Sequence, residues 1–422
     1  MIDINLIREK PEIIKETLKK RNQNEKIKIL EFLIEKDKKW KKLKQQSDKL
    51  RSERKKLNLQ INSNKKQGKN IKKEIKQAGI NRQKLLKTEE EKEKLEQEIN
   101  KELNKIPNLL HKSVPTGKDE SKNKVIKKYG KPKKVSFKLK SHGEIIEAKE
   151  QGNFERATKI SGAGFYFLHD KIAWLNQAII RYAIDFLRKK GYNYVEPPLM
   201  MRRKPYEGVV ELQDFQDVMY KIENEDMYLI ATSEHPLIAQ YINTNIKEEK
   251  LPIKLAGYSM CFRKEIGSHG VDTRGLFRTH QFNKVEQIII CQEKDSWKYF
   301  EELLKNTEQM FKELGIPYRL LEMCSGDLGN MKAKQIDLEL WMPRQGKYQE
   351  VTSLSNCTDY QARKLKIKSI DKYLNKKVLH TLNNTAIATS RVLVGIIENF
   401  QQKDGTILIP KALHKYTGFK KI

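Results

Sequence analysis

The sequence predicts an α+β protein in two parts, a long antiparallel helical hairpin near the N-terminus and a larger body that mixes helices with strands. Three observations lead there. Residues 26–106 carry two apolar stripes in alternating three- and four-residue steps, separated by a polar turn. Residues 170–190 have the spacing of one amphipathic helix. Residues 260–286 hold two strand-like runs joined by a glycine-bearing loop.

In the first stripe Leu33, Trp40, Leu43, Leu50, Leu57 and Ile61 keep the seven-residue rhythm, interrupted by Ser47 and Arg54. In the second, Ile71, Ile75, Ala78, Leu85, Ile99, Leu103 and Ile106 do so, with Arg82, Glu89, Lys92 and Glu96 at seam positions. The turn SNKKQGKN, residues 63–70, carries Gly68 and folds the two helices back on each other. At about 1.5 Å per residue, helices of some 36 residues make an arm roughly 50 Å long. Such an arm buries too little surface to be a core, so it is expected to reach for something. Residues 41–76 hold 14 Lys or Arg against 3 Asp or Glu. That bias suits a polyanion, and a solvated coiled-coil face explains it equally well.

Beyond Ile106 the sequence reads as a linker, IPNLLHKSVPTGKDESKN followed by a run rich in Lys, Gly and Pro, which sets boundaries at 1–106, 107–150 and 151–422. The helix at 170–190 turns Ile172, Leu175, Ile179, Ala183, Phe186 and Leu187 to one side, with Asp170 as a cap and Gly191 ending it. GYNYVEPPLM follows as a strand, and its double proline belongs at a strand end or a sheet edge.

The strands YSMCFRKEI and THQFNKVEQIIIC are separated by a loop with Gly267, Gly270 and Gly275. Phe282 and Glu286 are four apart and share a face, as Arg263 and Glu265 do on the first strand. One sheet face then offers a guanidinium, carboxylates and an aromatic plate, a combination that suits a nucleotide.

The chain of 422 residues has 85 Lys+Arg against 55 Asp+Glu, a net charge of +30. An anionic partner fits. So does a general lysine excess, since only 17 of the 85 are arginine, and charge alone does not decide. Cys261, Cys291, Cys324 and Cys357 are widely spaced, which argues against a disulfide framework and a zinc knuckle. No apolar run approaches the roughly 20 residues that span a bilayer, and Asp3, Glu9, Glu12 and Glu16 are unlike a targeting peptide. A soluble cytoplasmic protein with no membrane partner is expected.

FRKE followed by GSHGVDTRGLFRTHQFNKVE resembles motif 2 of the class II aminoacyl-tRNA synthetases, in the wording of the seryl-tRNA synthetases. Further stretches agree in order: GYNYVEPP resembles motif 1 with Pro198 as its proline, LIATSEHPL the serine-binding loop, and NNTAIATSRVLVGIIENFQ motif 3. CSGDLGNMKAKQIDLELWMP and YQEVTSLSNCTDYQAR also match the family's wording, so the resemblance spans nearly the whole chain. Thr385 and Ser390 replace the serine and glycine of many bacterial members, a wording closer to the archaeal and eukaryotic branch.

The resemblance implies a homodimer of class II fold, a six- or seven-stranded antiparallel sheet with flanking helices, preceded by a coiled-coil arm that binds tRNA. It implies ATP-dependent attachment of L-serine to tRNA(Ser) through a seryl-adenylate, with tRNA(Sec) kept as a second candidate acceptor. Carried over, Thr232, Ser233, Glu234, Glu286 and Thr385 contact serine, the last two at its hydroxyl. Arg263, Lys264, Glu265, Thr279, Phe282, Glu350, Val351, Thr352, Ser353 and Arg391 bind ATP. Arg263, Glu265 and Arg391 are the catalytic set, with Arg391 at the γ-phosphate from the first turn of a helix. Glu350 and Ser353 are expected to hold Mg2+, which requires a bulge, since residues three apart point to opposite faces of a regular strand. Zinc is not expected. Arg51, Arg54, Lys55 and Lys56 are the candidates for touching the tRNA. Two rival functions are an RNA-binding paralogue without turnover and a ligase that loads a carrier protein. Relatives of the second kind lack the arm.

Overall fold

The computed structural model describes residues 1–132, 135–211, 218–265 and 275–422. Gly267 and Gly270, read above as loop glycines, lie outside the described residues. The chain divides into two compact units, Met1–Pro107 and Asn108–Ile422.

In the first unit, α1 (Ile4–Glu9) and α2 (Pro11–Lys20) precede the hairpin of α3 (Ile27–Lys66) and α4 (Lys72–Leu103). The turn falls where the polar stretch placed it, with Gly68 in the left-handed region at φ 67°. The seam is partly shifted. In α4 it runs through Ala78, Asn81, Leu85, Thr88, Leu95 and Ile99, while Arg82 and Glu96 are exposed and Ile75 is 54% exposed. In α3 the seam passes through Glu53 and leaves Arg54 outside. Polar seam residues bond across the hairpin: Asn64 Nδ2 donates to Glu74 Oε1 at 3.0 Å and Asn81 Nδ2 to Glu53 Oε2 at 3.2 Å. Counting apolar residues missed this frame because hydrogen-bonded polar pairs occupy the positions that apolar residues usually hold.

The second unit is built on eight strands: β1 (Lys124–Tyr129), β2 (Asn193–Val195), β3 (Ile253–Phe262), β4 (Gln281–Cys291), β5 (Tyr318–Glu322), β6 (Lys334–Met342), β7 (Lys347–Asn356) and β8 (His380–Ala388). Their order is β1-β5-β6-β7-β8-β4-β3-β2, antiparallel throughout except for the β2–β3 pair. Six or seven strands were expected, and both edges explain the surplus. β1 lies inside the stretch 107–150 read as a linker, where its exposed residues, half of them lysine, hide the strand pattern. That stretch also holds the helix His142–Ala148 with Ile145 and Ile146 buried, so it is part of the unit's body. β2 is the strand of GYNYVEPP, at the edge and ending before the prolines as their chemistry requires.

Three helices fix the sheet's first core: α5 (Asp170–Lys189), α6 (Ser296–Leu314) and α7 (Thr389–Asn399). Ile172, Leu175 and Ile179 of α5 pack with Phe300 and Leu303 of α6 and Leu393 and Ile396 of α7. The N-cap of α5 is His169, with no side-chain bond, and Asp170 lies in the first turn instead of capping it. β4 alternates between two cores, with Val285 and Ile289 facing this one and Ile288 and Ile290 facing a second beneath the helices Arg203–Val209 and Glu234–Ala239. Phe282, Lys284 and Glu286 share the second face further along the same strand. No helix among the described residues is long and apolar enough to cross a membrane.

Candidate active site

On that face the sheet floors a cavity of about 1150 Å³ within the second unit. β4 supplies Phe282, Lys284 and Glu286, β8 supplies Asn383 and Thr385, and β7 supplies Glu350, Val351, Thr352 and Ser353. Arg263, Lys264 and Glu265 also line it, although β3 ends at Phe262. The face shared by Arg263 and Glu265 is therefore set by the irregular chain after the strand and not by pleat alternation.

Thr385 stands directly opposite Glu286 in the ladder. Its Oγ1 donates to Glu286 Oε1 at 2.9 Å, and Thr232 Oγ1 donates to the same oxygen at 3.2 Å. Lys284 Nζ pairs with that oxygen too. Glu286 Oε2 is buried and has no hydrogen-bond partner among the described residues. A buried carboxylate oxygen left open toward a cavity invites a donor such as an ammonium or a hydroxyl group. Glu234 Oε1 accepts from Gln361 Nε2 and from Asn383 Nδ2, both at 3.0 Å. Burial, then the nearby Glu286, raises the Glu234 carboxyl above its ordinary range. Ser233 departs from the expectation: its hydroxyl is fully buried and donates to the Gly257 carbonyl at 3.1 Å, beneath the short helix it precedes. Thr232, and not Ser233, accepts the Glu234 N–H, at 3.2 Å.

The expected bulge is present. Asp337 pairs with Ser353 and Leu338 with Thr352, but Glu339 pairs with Glu350, so Val351 is the extra residue. Asp337 and Glu339 share a face of β6, and the extra residue therefore brings Glu350 and Ser353 onto the same side. Burial, then Glu350, pushes the Asp337 carboxyl well above its usual value. Arg391, in the first turn of α7, donates from Nη1 to the Glu350 carbonyl at 2.7 Å and faces its carboxylate at 3.3 Å. Its guanidinium lies 5.4 Å from the Phe277 ring centre, as that of Arg263 lies 5.2 Å from Phe282. Thr279 Oγ1, also on the cavity wall, is buried without a partner among the described residues.

Sequence reasoning missed Lys284, Asn383, Phe277 and Lys332, all on the wall. Lys284 was within reach, two residues from both Phe282 and Glu286 on one strand face. Lys332 follows β5 in irregular chain, where no periodicity marks a side. Among the arm candidates, Arg51 is held by Glu89 across the hairpin at 2.6 Å, while Arg54, Lys55 and Lys56 are exposed.

Residues 218–400 match the family model described as the tRNA synthetase class II core domain (G, H, P, S and T), and residues 1–110 the seryl-tRNA synthetase N-terminal domain. A serine–tRNA ligase of Methanospirillum hungatei is 47% identical over 422 residues, 100% of this chain and 99% of that protein. The crystal structure of seryl-tRNA synthetase from Pyrococcus horikoshii complexed with ATP aligns with a TM-score of 0.94 at 43% identity, covering 100% of this chain and 99% of that one. A cytoplasmic serine–tRNA ligase from Naegleria fowleri in complex with AMP gives 0.90 at 35% identity, with coverages of 100% and 98%.

Proposed function

Because this chain belongs to the seryl-tRNA synthetase family, we propose that it joins L-serine to tRNA(Ser) at the expense of ATP through a seryl-adenylate. What carries the assignment is Glu286, whose Oε1 is held by two threonines while its buried Oε2 stays open, a polar recess scaled to a small hydroxyl-bearing amino acid. The serine carboxylate attacks the α-phosphorus of ATP, pyrophosphate leaves, and the terminal adenosine hydroxyl of the tRNA then takes the seryl group. Arg263 steadies the charge that develops on the α-phosphate, and Phe282, already against that guanidinium, offers its ring to the adenine. Arg391 would exchange its contacts with Glu350 for the γ-phosphate. Glu350 and Ser353, on one side of β7 by virtue of the bulge, would hold Mg2+. The donors fit, being a carboxylate and a hydroxyl oxygen, with the buried carboxyl of Asp337 opposite Ser353 in the ladder. Bound there with the triphosphate, the ion would neutralise phosphate charge.

Arg54, Lys55 and Lys56 are assigned to the tRNA, and a second copy of the chain to the exposed Trp174, Leu199 and Met200, the last two directly after the motif 1 stretch. Four buried, unpaired cysteines accord with a reducing cytoplasm. Serine-dependent ATP–pyrophosphate exchange, followed by charging of tRNA(Ser) and tRNA(Sec), tests the function and its acceptors. Exchange without charging would favour a carrier-protein ligase, and neither activity a binding paralogue.

Amino-acid choice gives a sharper check. Glu286→Ala should leave ATP binding near the parent value while lowering the preference for serine over alanine. Loss of a hydrogen bond to a charged group costs about 1.5–3 kcal/mol, roughly ten- to a hundredfold in the kcat/KM ratio. An unchanged ratio would remove Glu286 from serine recognition.

A further inference from the structure

One buried histidine–carboxylate pair lies outside the chemistry described so far. His142, in the helix His142–Ala148, and Glu398, in α7, have side chains 1% and 0% exposed. The backbone N–H of Leu276 donates to His142 Nε2 at 3.0 Å, so that nitrogen carries no proton. The ring proton is then on Nδ1, which donates to Glu398 Oε1 at 3.2 Å. A neutral imidazole thus ties α7 to the chain entering β4. The fit is close enough to dictate the neighbouring residue. At Gly275, φ 138°, an added Cβ would lie 2.2 Å from Nε2.

The tie bears on the cavity through the next residue. Phe277 packs against Arg391, and Arg391 and Glu398 are seven apart on α7, two turns along one side of the helix. Glu398, His142, Leu276, Phe277 and Arg391 therefore close a ring that fixes α7 to the wall at two points. We infer that His142 is a positioning residue for ATP: by holding Leu276 it sets Phe277 beneath Arg391 and sets Thr279, two residues on, with its hydroxyl free toward the cavity. This rests on the assignment of Arg391 to the phosphates.

Two amides separate the bonds the imidazole makes. An asparagine nitrogen falls near the place of Nδ1 and a glutamine oxygen near that of Nε2. His142→Gln should keep the bond to Leu276 and hold the KM for ATP in serine-dependent exchange within about threefold of the parent. His142→Asn keeps only the partner Glu398 and should raise it about tenfold, the effect of one neutral hydrogen bond. His142→Phe should do the same or more, and Gly275→Ala should follow it. The KM for serine should stay within about twofold in all four. Equal ATP constants for the Asn and Gln variants, or serine and ATP constants rising together, would overturn the inference. Should the Phe variant fail to fold, the Asn and Gln pair still decides. Arg391→Ala, assayed alongside, isolates the premise: if it leaves exchange intact, Arg391 is not a phosphate ligand whatever the His142 variants do.

Discussion

Replacing Arg391 or Arg263 by alanine is expected to lower serine-dependent ATP–pyrophosphate exchange by about 10³-fold or more, the scale on which a preorganised cation acts on transferring phosphate. The fold should hardly notice. The side chains of Arg391 and Glu350 are 28% and 47% exposed, and a pair so open to water contributes about 0–1 kcal/mol. Among the described residues the Arg263 side chain donates to the Ala231 carbonyl, at 3.3 Å, and covers the Phe282 ring. Melting temperatures should therefore stay within a few degrees of the parent. Arg391→Lys should recover little, because an ammonium cannot repeat the planar, two-pronged contact of a guanidinium with phosphate. Activity and melting temperature falling in step would mark these arginines as parts of the scaffold instead.

Removing the outer part of the arm is expected to leave exchange within about twofold and to reduce tRNA charging at least a hundredfold, because phosphate contacts carry much of such affinity. Joining Lys44 to Lys92 through a short glycine linker suits this test. It spares Leu30, Leu33, Leu95, Ile99 and Leu103, the buried residues at the base of the hairpin. The hairpin geometry strengthens the expectation drawn from composition. Of the three acids in residues 41–76, Glu53 and Glu74 turn into the seam to bond Asn81 and Asn64, which leaves Asp48 alone against 14 cations on the outside. Neutralising Arg54, Lys55 and Lys56 should weaken RNA binding and flatten its dependence on salt by about 0.7–0.9 per lost phosphate contact. Arg51→Gln should do less, since Glu89 already occupies that guanidinium. Full charging by the shortened protein would leave the arm a solvated structure with some other role.

What was legible in the sequence followed the physics of each signal. The hairpin, α5 and β4 carry strong apolar periods and lie within a few residues of where those periods place them. The bulge in β7 was legible as a necessity, since two ligands three residues apart cannot share a regular strand face, but nothing in QEVTSLSN marks Val351 as the extra residue. β1 was illegible because an exposed edge strand needs no apolar face. Ser233 and Lys284 show the limit of carrying motifs over. A tetrapeptide names the neighbourhood, whereas the backbone decides that one hydroxyl turns to Gly257 and one ammonium turns to Glu286.

The polar seam of the arm has a mechanical consequence. At its base the hairpin is closed by Leu30, Leu33, Leu95, Ile99 and Leu103, all buried. Beyond Leu50 and Leu85 the apolar seam residues Leu57, Ile61, Ile71 and Ala78 are half-buried, stitched by the amide–carboxylate bonds of Asn64 and the buried Asn81, which water can replace once the seam parts. Opening free energy should thus fall steadily from base to tip, and backbone amides near residues 57–78 should exchange with deuterium far sooner than those near Leu33 or Ile99. The arm is a graded spring, stiff where it is rooted and compliant at its end. Outer turns of that kind would take their final set from a bound partner, trading some affinity for tolerance of shape.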